Sequence, residues 1–347
     1  MPGRIVPTVE APSRLVLLLL RWLLFRLMFL SGLVKLASGD PTWRSFAAMR
    51  FHYQTQPLPT WTSWYIHLAP NWFQTMSVGG VFFTELIVPL FIFANRRLRL
   101  LACAMIVSLQ LLIAVTGNYG FFNLLTIVLC VTLLDDAVLK RLRILRSANP
   151  HVIVAKPWRH WMNVALVAGL VPLTLVAGLR QFRSTKWVPQ PLVDAWITIQ
   201  PFYLANGYGL FAVMTTRRPE LIVEGSTDGA TWKAYEFKWK PGDVERRPRF
   251  CSPHMPRLDW QMWFAALDLY YNDRADPWLI DFLDRLREAS PPALDLLQTD
   301  PFAGQPPRHL RVRIYDYRFT TAAERAASGA WWHRDPIAIL SDLPAPP

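Results

Sequence analysis

The sequence predicts a polytopic α-helical membrane bundle followed by a β-rich, sandwich-like extramembrane domain with inserted helices. Five apolar stretches fall in the first 180 residues, at 15–37, 78–94, 98–115, 119–134 and 161–179. Each is close to the roughly 20 residues a helix needs to cross a bilayer. After residue 180 the long apolar runs stop and turn clusters begin. The charge splits at the same place. Residues 1–180 hold 17 Lys/Arg and 5 Asp/Glu, and residues 181–347 hold 20 of each, so the whole net charge of +12 belongs to the membrane half. A nucleic-acid binder carries its basic face on the folded domain, and this pattern excludes that class.

Residues 1–14 form a short lead. The first span, 15–37, is interrupted by Arg21 and Arg26. A charge at mid-helix costs about 2.5–3.5 kcal/mol on insertion scales. Arg21 can snorkel to the surface. Arg26 lies deeper, and Glu85 is the only acidic residue within a span, so an Arg26–Glu85 pair facing the bundle interior is expected. The loop 38–77 is dense in aromatics and broken by Pro57, Pro59 and Pro70, which reads as a folded cap on the outer membrane surface, since Trp and Tyr favour headgroups.

Basic residues alternate from link to link. Arg96, Arg97 and Arg99 follow the second span, and Lys140, Arg141, Arg143, Arg146, Lys156 and Arg159 follow the fourth. The link between the third and fourth spans is uncharged, with Gly117 and Gly120 permitting a reversal and Asn118 and Asn123 able to bond freed backbone groups. With five crossings the positive-inside rule puts the N-terminus in the cytoplasm and the C-terminal domain on the opposite side. Residues 135–160 read as a basic, partly amphipathic cytoplasmic segment.

Residues 181–206 read as a Pro-rich linker, residues 207–335 as the β-rich domain and 336–347 as a tail. A short apolar run at 221–224, the Asp228-Gly229 turn and alternation over 231–239 predict a hairpin. Trp232 and Tyr235 behind that turn resemble hairpins of discoidin-like sandwich domains, which suggests glycan or lipid binding as one alternative. Residues 258–269 and 277–289 have helical spacing, and 310–319 reads as a returning strand.

No phosphate loop, Cys-x-x-Cys, His-Glu-x-x-His or Gly-x-Ser-x-Gly elbow is present. The seven histidines are scattered, and the three cysteines (Cys103, Cys130, Cys251) leave the extramembrane domain one thiol and no disulfide framework. Neither a metal nor a cofactor is expected, nor an enzyme. The densest polar constellation is His254, Arg257, Asp259 and Gln261 beside Trp260 and Trp263, preceded by Arg246 and Arg247. Trp and Arg dominate binding hot spots, so a recognition surface is one reading. A loop-to-helix junction, with Asp259 capping the helix or accepting from Arg257, is the other.

These residues also carry a resemblance. The strings Phe51-His-Tyr-Gln-Thr-Gln-Pro57, Asn71-Trp-Phe and Thr116-Gly-Asn-Tyr-Gly-Phe-Phe-Asn123, with Glu224-Gly-Ser, Asp228-Gly, Trp232 and Tyr235-Glu-Phe, are similar to the lipase maturation factor family. So are Lys240-Pro-Gly-Asp243, Arg246-Arg-Pro248, Pro253-His and Arg257-Leu-Asp-Trp-Gln-Met-Trp263, then Tyr315-Asp-Tyr-Arg-Phe319 and Gly329-Ala-Trp-Trp332. The resemblance implies a multi-pass protein whose exported domain assists secreted lipases to fold or assemble, resident in the endoplasmic reticulum membrane in animals. It makes Arg246, Arg247, His254, Arg257, Asp259, Trp260, Gln261, Trp263, Asp228, Trp232 and Tyr235 client-binding candidates. Arg26, Glu85, His52, Gln56, Asn118, Tyr119 and Asn123 are the polar candidates of the bundle and its loops. Family members carry further sequence ahead of the helix matching 15–37, so leading helices are absent here or the start is truncated. The Ala/Arg/Pro/Trp-rich composition points to a GC-rich bacterial source and hence the plasma membrane. Membrane lipid and a secreted protein are the expected partners. An intramembrane enzyme acting on a lipid-like substrate through His52 and Glu85 is the other alternative.

Overall fold

The computed structural model describes residues 8–10, 12–141, 151–153, 157–182, 188–207, 209 and 211–341. Much of the basic segment expected at 135–160, and the end of the tail, lie outside the described residues. The chain divides into two compact units, Met1–Phe46 with Met76–Gln110 and Leu124–Val213, and Ala47–Thr75 with Leu111–Asn123 and Met214–Pro347.

The first unit contains most of the membrane-spanning helix. Among the described residues, four helices are long and apolar enough to cross a bilayer: Arg14–Ala37, Asn71–Phe93, Arg96–Thr116 and Pro157–Gln181. The fifth apolar stretch forms a shorter helix, Phe122–Leu133. Leu24, Met28, Val88, Ile106 and Leu133 make an apolar core between the first three spanning helices and the short helix. The second spanning helix is irregular, passing from α-helix into a π turn at Phe83–Ile87 and a 3₁₀ segment at Val88–Phe93. Pro89 supplies the reason: it lacks an N–H and its ring crowds the preceding turn, and π and 3₁₀ turns rearrange the freed carbonyls.

The intramembrane charges pair differently from the sequence expectation. Glu85, in the π turn, is bound by Lys35 at 2.7 and 2.9 Å, and the Lys35 ammonium also donates to the Ser31 carbonyl at 3.1 Å and faces the Trp43 ring. Arg26 instead donates to the Asn206 carbonyl. Lys35 wins because it lies two and a half turns further along the first helix, level with the wide turn that carries Glu85. Arg21 does not simply reach for solvent; it grips the Thr132 carbonyl at 2.8 and 3.0 Å, at the end of the short helix. Arg99 takes the neighbouring Leu133 carbonyl at 3.1 Å. The expected linker at 181–206 contains a helix, Gln190–Ile199, with Trp196 under the Arg180 guanidinium.

The second unit, hereafter the head, is built on a four-stranded antiparallel sheet. Its strands are β1 (Pro219–Ser226), β2 (Lys233–Ala234), β5 (His309–Phe319) and β6 (Trp332–Ser341), in the order β2-β1-β5-β6. The predicted hairpin is present, with Gly229 at φ +74° in its turn. The run 231–239 is split, however. After β2, the strand β3 (Glu236–Phe237) leaves to pair with β4 (Leu297–Thr299) in a separate ribbon. β6 continues to Ser341, past the boundary expected at 335.

Period-two alternation gives the sheet two buried faces. Leu221, Val223, Leu310, Val312 and Ile314 face helices Arg257–Asn272 and Pro277–Arg287, where they meet Met262, Ala266, Leu279 and Leu283. Ile222, Tyr315, Tyr317 and Phe319 face the other way and pack with Trp331, Trp332 and Trp64. Trp64 comes from the loop between the first two spans. That loop folds as three short helices, Pro41–Arg44, Met49–Thr55 and Trp61–His67, and the latter two cover the second face of the sheet.

Candidate functional site

A single buried guanidinium explains how the loop is held. Arg218 lies just before β1 and is 1% exposed. It donates to the carbonyls of Gln54 and Pro57, each at 2.8 Å, and to that of Gln56. Its charge is met by Glu220 at 2.7 Å, whose other oxygen meets the Lys240 ammonium at 3.0 Å. Lys240 completes its shell on the Leu221 and Pro241 carbonyls at 3.1 and 2.8 Å. Burial pulls the Arg218 pKa down, and Glu220 opposes that pull. Sequence reasoning passed over Arg218 and Glu220; a lone basic and a lone acidic residue at a strand start carry no pattern.

The polar loop candidates converge around this centre. Gln56 is buried, receives the Tyr119 hydroxyl at 2.8 Å, and donates to the Thr116 carbonyl at 2.7 Å. His52 sits 3.3 Å from the same hydroxyl. Asn118 uses both ends of its amide. It donates to the Leu58 and Arg249 carbonyls at 3.1 and 2.8 Å, and accepts from the Cys251 and Ser252 amides at 2.8 and 3.2 Å. Asn123 is also buried. Burial drives the Tyr119 hydroxyl far above its ordinary pKa and that of Tyr53 up to about 12. The two tyrosine hydroxyls are therefore neutral hydrogen-bonding joints. Glu85, the other half of the enzyme alternative, belongs to the other unit and is held by Lys35.

The C-terminal candidates separate into two kinds. Several are structural. Asp259 is buried and accepts the Trp239 and Lys240 amides, each at 2.8 Å, and no ion pair joins it to Arg257 among the described residues. Burial raises its pKa, and those two amides oppose the rise. Trp263 is buried and donates to the Thr55 carbonyl at 2.9 Å. Trp260 packs edge-on to Tyr119, and Tyr235 lies in the core against Phe302. Arg246 binds the Phe237 carbonyl at 2.6 Å and Glu236 at 3.4 Å. Asp228 shapes the hairpin turn by accepting the Thr231 and Ala230 amides at 2.7 and 2.9 Å, bonds that hold its pKa well below the usual range. Trp232 stacks beneath Arg311, 3.9 Å from guanidinium to ring centre.

The others face solvent. His254, Arg257 and Gln261 line an open groove of about 720 Å³ with Met255, Trp239 and Trp278. Met255 and Leu296 in its wall are 41% and 49% exposed. Arg247 is exposed close by, its guanidinium 4.5 Å from the Trp61 ring. Among the described residues, no three His, Cys, Asp or Glu side chains form a group able to hold a metal ion. Residues 253–261, a loop and the first turn of the helix Arg257–Asn272, thus build a surface with apolar walls and polar edges, and it has the makings of a protein- or ligand-binding face.

Fold and site together define a multi-pass membrane protein with a folded head that its interhelical loops help to build. Two family models match the chain. One is described as the lipase maturation factor transmembrane domain, over residues 4–141, and the other as the lipase maturation factor C-terminal domain, over residues 204–340. The chain belongs to the lipase maturation factor family. It is 36% identical to lipase maturation factor 1 of Homo sapiens, over 96% of this chain and 61% of that protein. It is 35% identical to lipase maturation factor 2 of Gallus gallus, over 92% of this chain and 58% of that protein. The chain thus spans about six tenths of the length of these relatives. No solved structure matches.

Proposed function

We propose that this chain is a membrane-anchored maturation factor whose head stands on the non-cytoplasmic side and holds secreted proteins, lipases among them, while they fold or assemble. The observation that carries the reading is the solvent-facing groove at residues 253–261, walled by Met255, Trp239, Trp278 and Leu296. Exposed apolar surface of this kind marks an interaction site on a protein. The names of the relatives supply lipases as the client class. The groove falls within the match to the family's C-terminal domain.

The short helix Phe122–Leu133 counts as a crossing on this reading. Asp135 pairs with Arg96, the first residue of the spanning helix Arg96–Thr116. The chain that leaves that helix at Thr116 is therefore back at its starting level by Asp135. Five crossings and the basic links then support a head on the non-cytoplasmic side.

The test is co-expression of the full chain with a secreted lipase, reading lipase activity per mole of lipase secreted. Trp278→Ala and Met255→Glu lower that specific activity on this proposal. Unchanged activity with both variants, at equal levels of the membrane protein, refutes it. A tag after residue 347 that reacts with membrane-impermeant reagents only from the cytosol refutes the orientation.

A further inference from the structure

The groove does not end at Trp239. Lys238 and Trp239 also wall a narrow polar notch of about 10 Å³, completed by Lys240 and residues 246–249. Lys238, Lys240, Arg246, Arg247 and Arg249 line the notch, and no acidic residue does. Two of these cations are already neutralised, Lys240 by Glu220 and Arg246 by Glu236. Lys238 donates to the Asp295 main-chain carbonyl and has no carboxylate partner among the described residues. Arg247 lies on Trp61. Arg249 has no carboxylate partner among the described residues, and neither does Arg257 on the groove side. The one acid lining the groove, Asp259, has its oxygen turned to the Trp239 and Lys240 amides. An apolar trough and a cationic notch are thus joined through Lys238 and Trp239.

We infer that this composite surface binds an extended peptide segment with a few large apolar side chains and a carboxylate-bearing residue at one end. The inference rests on the client-holding reading and names the chemistry of the segment held. Charge complementarity selects it, because uncompensated cations on the rim favour an acidic flank and repel a basic one. The trough lies in the size range of sites that bury one small ligand and has room for a few side chains. The notch itself has room for about one water, so a carboxylate would sit on its cationic rim.

The experiment uses the full chain in phosphatidylcholine nanodiscs and a labelled decapeptide of Leu, Phe and Ser ending in two Asp residues, read by fluorescence anisotropy. The Asp peptide binds, its Asn counterpart binds about fivefold more weakly, and its Lys counterpart does not saturate. Raising the salt from about 0.05 to about 0.5 M weakens the Asp peptide and leaves the Asn peptide unchanged. In Lys238→Glu/Arg257→Glu the preference inverts toward the Lys peptide, an outcome that only a folded head can give. Equal affinity for the three peptides, or no salt dependence in the wild-type chain, overturns the inference. So does displacement of the Asp peptide by phosphatidylglycerol vesicles with no displacement by excess unlabelled peptide, which would mark a lipid site. If the peptides bind without regard to charge while Trp278→Ala still lowers lipase activity, the acidic class fails and the client reading stands. If binding is charge-selective while lipase activity is indifferent to Trp278→Ala, the client reading fails and the peptide chemistry stands.

Discussion

Replacing Arg218 with methionine removes the cation that joins the outer loop to the sheet. Three loop carbonyls, those of Gln54, Gln56 and Pro57, lose their donor, and Glu220 keeps only Lys240. A hydrogen bond from a charged group contributes about 1.5–3 kcal/mol, and breaking a buried ion pair costs about 3–5 kcal/mol. The bonds share one side chain, so the values do not add. A loss of about 5 kcal/mol is expected, a large fraction of the 5–15 kcal/mol that holds a typical domain folded. The detergent-solubilised protein should melt about 10–20 °C lower, at roughly 2–4 °C per kcal/mol for a head of this size. Hydrogen exchange adds the location: the amides of residues 54–58 and 116–120 should lose protection first. Arg218→Lys should recover little, because one ammonium cannot reproduce the planar fork that reaches both Glu220 and the loop. A melting point and exchange pattern equal to those of the wild-type protein would refute the idea that Arg218 fastens the loop.

Gly117→Ala should release Gln56, since the added Cβ would overlap the Gln56 side-chain oxygen; faster exchange at residues 56–58 and a lower melting point check this. In the membrane unit, Lys35→Ala and Glu85→Ala should each lower the amount of folded protein, with the double variant no worse than the worse single. Arg26→Ala combined with Glu85→Ala should be additive, because Arg26 bonds Asn206 instead. Glu324 is held near a pKa of about 2, first by Arg318 and then by the Thr321 amide. A carboxylate depressed in this way stabilises the fold above its unfolded pKa and stops doing so as the pH falls toward 2. Glu324→Gln should therefore lower the melting temperature at pH 7, through loss of the Arg318 pair and the cap, and the gap from the wild-type protein should close between about pH 4.5 and 2.

The membrane helices and the strands at 221–224 and 310–319 were legible because burial imposes a period on sequence. The same is true of the helices after Arg257 and Pro277. Motif residues were legible as a group, yet their separate tasks were not. Asp259 and Trp263 sit among solvent-facing neighbours in the sequence, and only the fold shows them turned inward to the Trp239 amide and the Thr55 carbonyl. The 231–239 alternation promised one strand, and Glu236 and Phe237 were drawn off by β4, sixty residues later. The sequence shows that Glu85 needs a cation but not that Lys35 supplies it, because a π turn leaves no mark in the sequence. The second face of the sheet was invisible for a simpler reason: its cover lies more than 150 positions upstream.

That distance bears on how the molecule is made. During synthesis the segments at 47–75 and 111–123 emerge well before β1, β5 and β6, and contacts of such long sequence separation form slowly. The late-emerging C-terminal part cannot finish folding until the early hairpin-like crossings have delivered their loops. A C-terminal fragment expressed by itself would lack Trp64 over the sheet and the three carbonyl acceptors of Arg218. It would be a poor stand-in for the intact protein, and insertion into the bilayer becomes a precondition for a working head.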